Sequence, residues 1–547
     1  KHYAVHSGPE SNRHSFDVSV SERDLRETYL PAFKDLVIKG GVEEVMTAYN
    51  RVDGVPAGAS DRLINEILRG EWGYQGIITS DCWAVPDFYE PGRHGYSPDA
   101  ATAAAIAVKT GMDTECGESF AYLPEAVNRG LITEEEIDVN LRRLLLERFR
   151  LGEMDGVSLW DHLADDIVEG EEHKALALKM AHETMVLLQN NGVLPLKAGS
   201  RIAVVGPNAD DEDMMWGNYN GIPRKTITVL EGIQAKVGVE NVVYAKGCEI
   251  AAKATDEGRY SETEGNYHDE ALSRNSGAEA AAATDLSMFD GVDAIIFVGG
   301  LSPKLEGEEM RVNFKGFKGG DRTSIELPET QRAYIQELKK TGKPIIFVHL
   351  SVSAVAMAPE AEACDAILQG WYAGQAGGEA VADVLFGDYN PAGRLPVTFY
   401  ASDSDLPDFG DYDMPGHTYR YFKGKPLFPF GHGLSFSKFK YRRAKYRDDV
   451  LRIPVKNVSK IDGDEVVQVY IKKADDVDGP IMSLRGFKRV PVKAGKKAFV
   501  EIPMSAENLD LFNPETGKME AAPGKYIVYY GGTSDIAKLR KLKITIR

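Results

Sequence analysis

The sequence predicts a multidomain α/β protein that ends in a small β-sandwich. At 547 residues the chain is too long for one compact core, so two to four domains are expected. Short apolar runs alternate with helical patterns over residues 1–155 and again over about 171–400, as in parallel sheets covered by helices. From about residue 438, alternation with a period of two replaces the helical pattern and predicts a β-sandwich.

The first segment, residues 1–155, has the rhythm of a parallel β/α fold. Apolar runs predict strands over 43–50 and 76–80. Thr133 and Glu136 form the pattern of a capping box, which opens the last helix of the segment. Helical patterns cover residues 22–39, 61–69, 100–109 and 133–151.

The rest of the chain divides at changes of pattern. A linker and a leading helix are predicted over 156–195, the helix itself over about 171–190. A second α/β domain follows over 196–400, and a linker rich in Gly, Pro and aromatic residues over 401–437. The sandwich takes residues 438–547. Buried strands of the second domain are expected near 201–206, 242–244, 293–298, 344–349 and 366–368.

Composition excludes several classes of protein. The net charge of −19 repels polyphosphate and argues against general nucleic-acid binding, whereas a neutral carbohydrate fits it. No apolar run reaches the ~20 residues of a membrane span. The four cysteines lack the spacing of a zinc site, so no metal is predicted.

Three predicted strands end in polar side chains. Asp81 directly follows the strand at 76–80, Tyr49 ends the preceding strand, and Lys1 and His2 lie next to a third. Sites in α/β folds form where strands end, so these side chains are expected to converge. Each also has an ordinary explanation, which for Asp81 is a helix N-cap.

Several ordered motifs together resemble glycoside hydrolase family 3. They begin with the Lys1–His2 pair and the segment 12–27, and continue with Met46-Thr-Ala-Tyr-Asn-Arg-Val-Asp-Gly54 and Ser80–Asp81. The resemblance continues through residues 188–195, 206–209, 393–396 and 428–435. It implies a (β/α)8 TIM barrel, an α/β sandwich domain and a fibronectin type III-like domain, with hydrolysis by double displacement and no cofactor.

The resemblance also assigns roles to residues. Asp81 matches the nucleophile, Lys1 and His2 match residues that bind sugar hydroxyls, and Tyr49 matches the tyrosine beside the nucleophile. Arg13 lies in a loop near that pocket and is a further candidate for substrate binding. The oligosaccharide is the expected partner, and a homodimer is compatible with the sequence.

A retaining enzyme needs a second carboxyl group, which acts first as acid and then as base. In the family it follows a strand of the α/β sandwich domain, and the matching strand here leads into the acidic loop 300–309. Glu306 fits the spacing best and Glu308 second; a solvated acidic loop is the alternative. Asp321 and Arg322 resemble a motif that would hold this loop.

Cysteines indicate the sugar. Cys82 stands where many β-glucosidases of the family carry Trp, and Cys116 precedes a glycine, as in the β-xylosidase and α-arabinofuranosidase branch. There the two cysteines can bridge and fill the space of a hexose hydroxymethyl group. The alternative is two buried free cysteines. Glu115 is expected to reach a sugar hydroxyl, and Trp83 to stack on a sugar ring.

A β-xylosidase acting on terminal non-reducing residues is therefore expected, with periplasmic or secreted location. The alternatives are a β-glucosidase, a catalytically inactive fragment or sugar-binding protein, and a nucleotide-binding α/β protein, for which no glycine-rich phosphate loop is found. Only about 155 residues precede the linker, whereas a complete barrel takes ~200–250. We therefore expect a barrel lacking its first strands, and a chain that is inactive or poorly folded in isolation unless the missing segment is supplied. Kinetic measurements then require the enzyme with that segment supplied.

Overall fold

The computed structural model describes residues 1–6, 8–158, 160–254, 285–307, 310, 312–319, 321–504, 509–521 and 523–546. The chain forms two compact units. The first unit consists of Lys1–Asp165, Asp408–Met414 and Leu511–Glu520. The second unit consists of Asp166–Pro407, Pro415–Asp510 and Ala521–Arg547. The finer domain boundaries proposed above stay predictions.

Parallel strands organise the core of the first unit. Glu44–Met46 pairs in parallel with Ile77–Thr79, and parallel bridges join Tyr3 to Thr47 on one side and Thr79 to Thr114 on the other. The parallel order matches the predicted part of a (β/α)8 barrel. Further short strands are Asp17–Val18, Arg51–Val52 and Val55–Pro56.

Helices of the first unit lie close to their predicted positions. The Thr133 side chain accepts from the Glu136 amide and the Glu136 carboxylate accepts from the Thr133 amide, so the capping box is confirmed. The helices are Glu22–Asp24, Leu25–Tyr29, Pro31–Ile38, Arg62–Glu71, Ala100–Thr110, Leu123–Asn128 and Glu134–Arg150, with short turns at Glu10–Asn12, Ala57–Ala59, Pro86–Phe88 and Ser119–Tyr122.

A six-stranded sheet forms the core of the α/β part of the second unit. Its order is Val186–Asn190, Ala366–Gln369, Ile345–Leu350, Ala294–Gly300, Ile202–Val205 and Val242–Ala245, all parallel except the first strand. The larger helices are Glu171–Thr184, Val229–Val237, Glu329–Lys339, Ala358–Ala363 and Gly377–Phe386.

The predicted helix over 171–190 is wrong in its last part. The helix ends at Thr184, and Val186–Asn190 pairs as an edge strand with Ala366–Gln369. Val186, Leu187 and Leu188 are all buried in this sheet. A short apolar run fits a buried strand as well as a helix, and burial against the sheet decides between them.

The predicted β-sandwich is confirmed, with two four-stranded sheets. One contains Phe439–Tyr441, Lys445–Arg447, Val450–Asn457 and Lys497–Pro503. The other contains Gly463–Lys473, Ser483–Val492, Gly524–Gly531 and Arg540–Ile546. In one small hairpin Phe317–Lys318 pairs with Asp321–Arg322, and in another Asp510–Asn513 pairs with Lys518–Ala521. The remaining short helical turns are Asp165–Ile167, Asp213–Met215, Val239–Asn241, Leu286–Phe289, Asp403–Asp405 and Thr418–Tyr421. Among the described helices, none combines the length and apolar character of a membrane span.

Candidate active site

Asp81 occupies the end of a buried parallel strand. It follows Ile77–Thr79 and is 5% exposed. Its Oδ1 accepts the Cys82 amide at 2.9 Å, and its Oδ2 lies 3.0 Å from His2 Nε2 without the angles of a hydrogen bond. The side chain does not cap the next helical turn, Pro86–Phe88, so the N-cap alternative fails. One carboxylate oxygen is therefore held by a backbone amide, while the other is buried against the His2 ring.

Tyr49 and Arg13 lie beside this carboxylate. The Tyr49 hydroxyl donates to the Cys82 carbonyl at 2.6 Å, which fixes the residue next to Asp81. The Arg13 guanidinium lies over the Tyr49 ring, 4.7 Å from its centroid. A cation over an aromatic face is held electrostatically, so the two side chains support one another. The structure thus brings Arg13 and Tyr49 together beside Asp81, and their roles in substrate binding stay predictions.

Two further histidines belong to this cluster and were missed by sequence reasoning. The His6 ring packs 4.5 Å from the His2 ring, and His14 packs 4.9 Å from the Tyr49 ring. Burial, with the charges of His2 and Arg13, lowers the pKa of His6 to about 4, so its ring is neutral near neutral pH. Their proximity in the sequence to His2 and Arg13 was the available signal. Lys1, next to His2, is exposed.

A disulfide joins the loop after Asp81 to the loop after Thr114. Cys82 and Cys116 form this bond, and both residues are exposed. The loops are also joined by backbone, since the Trp83 amide donates to the Cys116 carbonyl at 2.7 Å. Trp83 has φ of 64° and is 54% exposed. A bulky residue in the left-handed region is strained, and its local contacts hold it there.

Glu115 has a second task besides the one predicted from sequence. Its two carboxylate oxygens accept the Ser119 amide at 3.1 Å and the Phe120 amide at 2.7 Å. These amides open the helical turn Ser119–Tyr122, so Glu115 stabilises the start of that turn. Contact with a sugar hydroxyl stays a prediction.

Glu306 lies in the second unit, in the loop that follows the strand Ala294–Gly300. Its Oε1 accepts the Val352 amide at 3.0 Å and the Tyr372 hydroxyl at 2.5 Å, and its Oε2 accepts the Ser353 hydroxyl. These three donors hold the carboxylate within its own unit. Glu308 lies outside the described residues.

Arg322 contacts the segment that holds the Glu306 carboxylate. Its Nη1 donates to the Ser353 hydroxyl and to the Ala354 carbonyl, both at 2.9 Å. Burial lowers the pKa of this guanidinium, and the nearby Glu306 carboxylate opposes that shift. The Ser353 hydroxyl therefore links Arg322 to Glu306, consistent with the loop-holding role inferred for Asp321 and Arg322.

Comparison with known proteins identifies the family. Residues 1–146 match the model of the glycosyl hydrolase family 3 N-terminal domain, and residues 185–436 that of its C-terminal domain. Residues 465–534 match a fibronectin type III-like domain. A xylan 1,4-β-xylosidase of Xylanibacter ruminicola is 41% identical, across 100% of this chain and 78% of that protein. The chain belongs to glycoside hydrolase family 3.

Other relatives and solved structures agree with this family. A periplasmic β-glucosidase of Salmonella typhimurium is 31% identical, across 97% of this chain and 71% of that protein. A β-glucosidase structure from Erythrobacter marinus is 30% identical and superposes with a TM-score of 0.85, covering 100% of this chain and 73% of that one. An exo-β-xylosidase structure with a xylobiose aziridine probe is 26% identical, with a TM-score of 0.85, covering 99% and 71%.

The environment of Asp81 predicts the pH dependence of this family 3 hydrolase. Burial alone would raise the pKa of Asp81, but the His2 ring, the Cys82 amide and the charge of Arg13 outweigh it and lower the pKa. For Asp81 as the expected nucleophile, which acts when ionised, kcat/KM should fall as pH drops through that pKa. We expect this acidic limb below the ordinary aspartate value of 3.8.

The pH dependence of kcat/KM on an aryl β-xyloside checks this expectation. In His2→Asn the limb is expected at higher pH, because the contribution of the His2 ring that lowers the pKa of Asp81 is lost while burial remains. Its position is informative even if the variant binds substrate more weakly. A limb that stays where it is in His2→Asn would contradict the contact between His2 and Asp81 as its cause.

Proposed function

We propose that this chain is a retaining, exo-acting β-xylosidase that removes terminal non-reducing β-xylosyl residues from xylo-oligosaccharides. The observation that carries the proposal is the Asp81 carboxylate, buried at a strand end with one oxygen held and the other without a hydrogen-bond donor among the described residues. The relative named xylan 1,4-β-xylosidase supports the substrate class. A polar cluster of Lys1, His2, Arg13 and Tyr49 would bind the hydroxyls of the terminal sugar.

The reaction proceeds in two displacements. Asp81 Oδ2 attacks the anomeric carbon as the glycosidic bond breaks, and the leaving oxygen takes a proton from the second carboxyl group. Water then attacks the same carbon, its proton passes to that second carboxylate, and the bond to Asp81 breaks. Two inversions restore the β-configuration. The Arg13 charge and the Cys82 amide stabilise the Asp81 carboxylate before attack and as it departs.

We propose Glu308, which the sequence ranked second, rather than Glu306 as the acid/base. A group that must give and take a proton in each cycle needs access to the substrate oxygen. Both Glu306 oxygens instead accept donors from its own unit, from Val352, Tyr372 and Ser353. We therefore assign Glu306 to anchoring the acidic loop and Glu308 to proton transfer.

The disulfide beside Asp81 supports xylose over glucose. Cys82 is covalently tied to Cys116 directly after the nucleophile, where a rigid loop would meet the C5 substituent of a hexose. Xylose has no hydroxymethyl group and loses nothing, so the loop acts by excluding the larger sugar. The β-glucosidases among the relatives make that activity the second candidate.

Removing the disulfide is expected to relax the choice of sugar. In the Cys82→Ala/Cys116→Ala double variant, the ratio of kcat/KM for aryl β-xyloside to aryl β-glucoside should fall about tenfold. Cys248→Ala is the matched control, since Cys248 is a buried free cysteine and should leave the ratio unchanged. A wild-type enzyme that hydrolyses the glucoside at least as fast as the xyloside would contradict the assignment of xylose as the preferred sugar.

We also place the enzyme outside the cytoplasm, in the periplasm or secreted. An enzyme outside the cytoplasm has access to wall polysaccharides. The relative from Salmonella typhimurium carries the name periplasmic β-glucosidase. The exposed disulfide fits an oxidising compartment. If cells are separated into medium, periplasmic and cytoplasmic fractions, xylosidase activity found in the cytoplasmic fraction would contradict this location.

A further inference from the structure

One face of the β-sandwich carries an unusual row of lysines. In the strand Val450–Asn457, Leu451, Ile453 and Val455 are buried, so Arg452 and Lys456 point to the opposite, outer side of the sheet. Across the strands, Lys456 stands directly opposite Lys440 on one side and Lys497 on the other. Arg452 stands opposite Lys445 in the same way. We call the outer surface formed by Lys440, Lys445, Arg447, Arg452, Lys456 and Lys497 the basic face.

The cations of the basic face are poorly neutralised. Glu501, opposite Arg452, contacts it at 3.5 Å, and Asp448 and Asp449 lie in the turn at one end. Within the described part of the chain, Lys440, Lys456 and Lys497 form no ion pair. Like charges directly opposite one another destabilise a sheet, so three adjacent lysines are a cost to folding. The protein as a whole carries −19, which makes this concentration of positive charge more notable.

An aromatic ring lies in the same surface. Phe499 is 55% exposed, stands opposite Pro454, and has the Arg452 guanidinium 4.3 Å from its ring centroid. Exposed aromatic rings next to cations offer both an apolar platform for a sugar ring and charge for an anion. A simple solvated face would not need the ring.

We propose that the basic face binds a polysaccharide that carries carboxylates on its sugars. Neighbouring strands are ~4.8 Å apart, so the row Lys440, Lys456 and Lys497 spans ~10 Å across the sheet, which suits an extended polymer. Lysine is a flexible point charge that can follow unevenly spaced carboxylates. The choice of a polysaccharide rests on the proposed function, because holding an acidic wall polymer would keep the enzyme close to its substrate.

Other anionic partners fit the surface less well. Duplex DNA carries one charge per ~1.7 Å, and a chain of net charge −19 meets stronger repulsion there than from sparsely placed carboxylates. A membrane surface is favoured by several apolar side chains beside the cations. The basic face has Phe499 as its one large exposed apolar side chain among the described residues.

The test measures binding of the intact protein to glucuronoxylan, with the same polymer after reduction of its carboxyl groups as the matched ligand. We expect retardation by glucuronoxylan alone. The triple variant Lys440→Gln, Lys456→Gln, Lys497→Gln should bind about tenfold more weakly, and added salt should weaken wild-type binding similarly. The control variant Lys525→Gln, Lys541→Gln, Lys543→Gln removes the same charge from the other sheet of the sandwich and should bind as wild type.

Equal binding to the two polymers, or equal losses in the two triple variants, would overturn the proposal. So would anionic phosphatidylglycerol vesicles or duplex DNA binding through the basic face while glucuronoxylan does not. Hydrolysis of a neutral aryl β-xyloside, measured on the same samples, separates the two proposals. The triple variant is expected to keep that activity, and an enzyme inactive on xylosides that still binds glucuronoxylan would refute the proposed function alone.

Discussion

Replacing Asp81 with Asn is expected to lower kcat on an aryl β-xyloside by about 10⁴-fold or more, because an amide cannot form the covalent intermediate. KM should change far less, since the sugar contacts of His2, Arg13 and Tyr49 remain. Initial rates with purified wild type and variant measure the effect, with near-ultraviolet circular dichroism to show that the fold is kept. Asn preserves the acceptor for the Cys82 amide, so the loop should stay in place.

Two controls separate a lost nucleophile from a damaged site. Asp17→Asn changes a carboxylate of the same unit that accepts the Gly54 amide at 2.9 Å, and should stay within about threefold of wild type. In Asp81→Ala, added azide can enter the vacated space and attack from the same side, giving an α-xylosyl azide. A β-xylosyl azide from this variant would instead indicate that Asp81 acts as the acid/base.

The second large effect concerns Glu308. Glu308→Gln should lower kcat on xylobiose by about 10²–10⁴-fold, the size of a general acid/base contribution. The first displacement on an aryl xyloside with a good leaving group should be much less affected, because that group departs without a proton. Azide should restore turnover of the aryl xyloside and yield a β-xylosyl azide. The basic limb of the pH profile should disappear as well.

Glu306→Gln is the matched variant on the same loop. In this variant an NH2 group, which is a donor, replaces one carboxylate oxygen, which is an acceptor. The NH2 group then faces the donors of Val352, Ser353 or Tyr372, so hydrogen bonds with them are lost. A hydrogen bond to a charged carboxylate contributes about 1.5–3 kcal/mol, so its loss should loosen the loop. Rates on xylobiose and on the aryl xyloside should then fall together, without azide rescue. If Glu306→Gln shows the split between substrates and the rescue instead, Glu306 is the acid/base.

Much of the fold was predictable because local pattern and burial agree. The capping box at Thr133 and Glu136 depends on residues three apart, and the buried strands of the second unit are continuous apolar runs. The strand Val186–Asn190 was missed because its pairing partner, Ala366–Gln369, lies far along the chain. Sequence pattern carries no information about such a distant partner.

Part of the candidate site could be predicted from the sequence and part could not. Asp81, His2 and Tyr49 follow from strand ends and from the family resemblance, and the structure places them together. The donors to Glu306 could not be foreseen, because Ser353 and Tyr372 lie 47 and 66 residues away in sequence. The pKa of His6 likewise depends on burial among His2 and Arg13, which only the folded chain creates.

Covalent trapping of the nucleophile is the most direct measurement. Incubation with an activated 2-deoxy-2-fluoro-β-xyloside slows the second displacement, so the glycosyl-enzyme ester accumulates and the protein gains the mass of one fluoroxylosyl group. Peptide mapping should place this group on Asp81, and Asp81→Asn should take up none. A label on any other residue, or full catalytic activity in Asp81→Asn, would contradict Asp81 as the nucleophile.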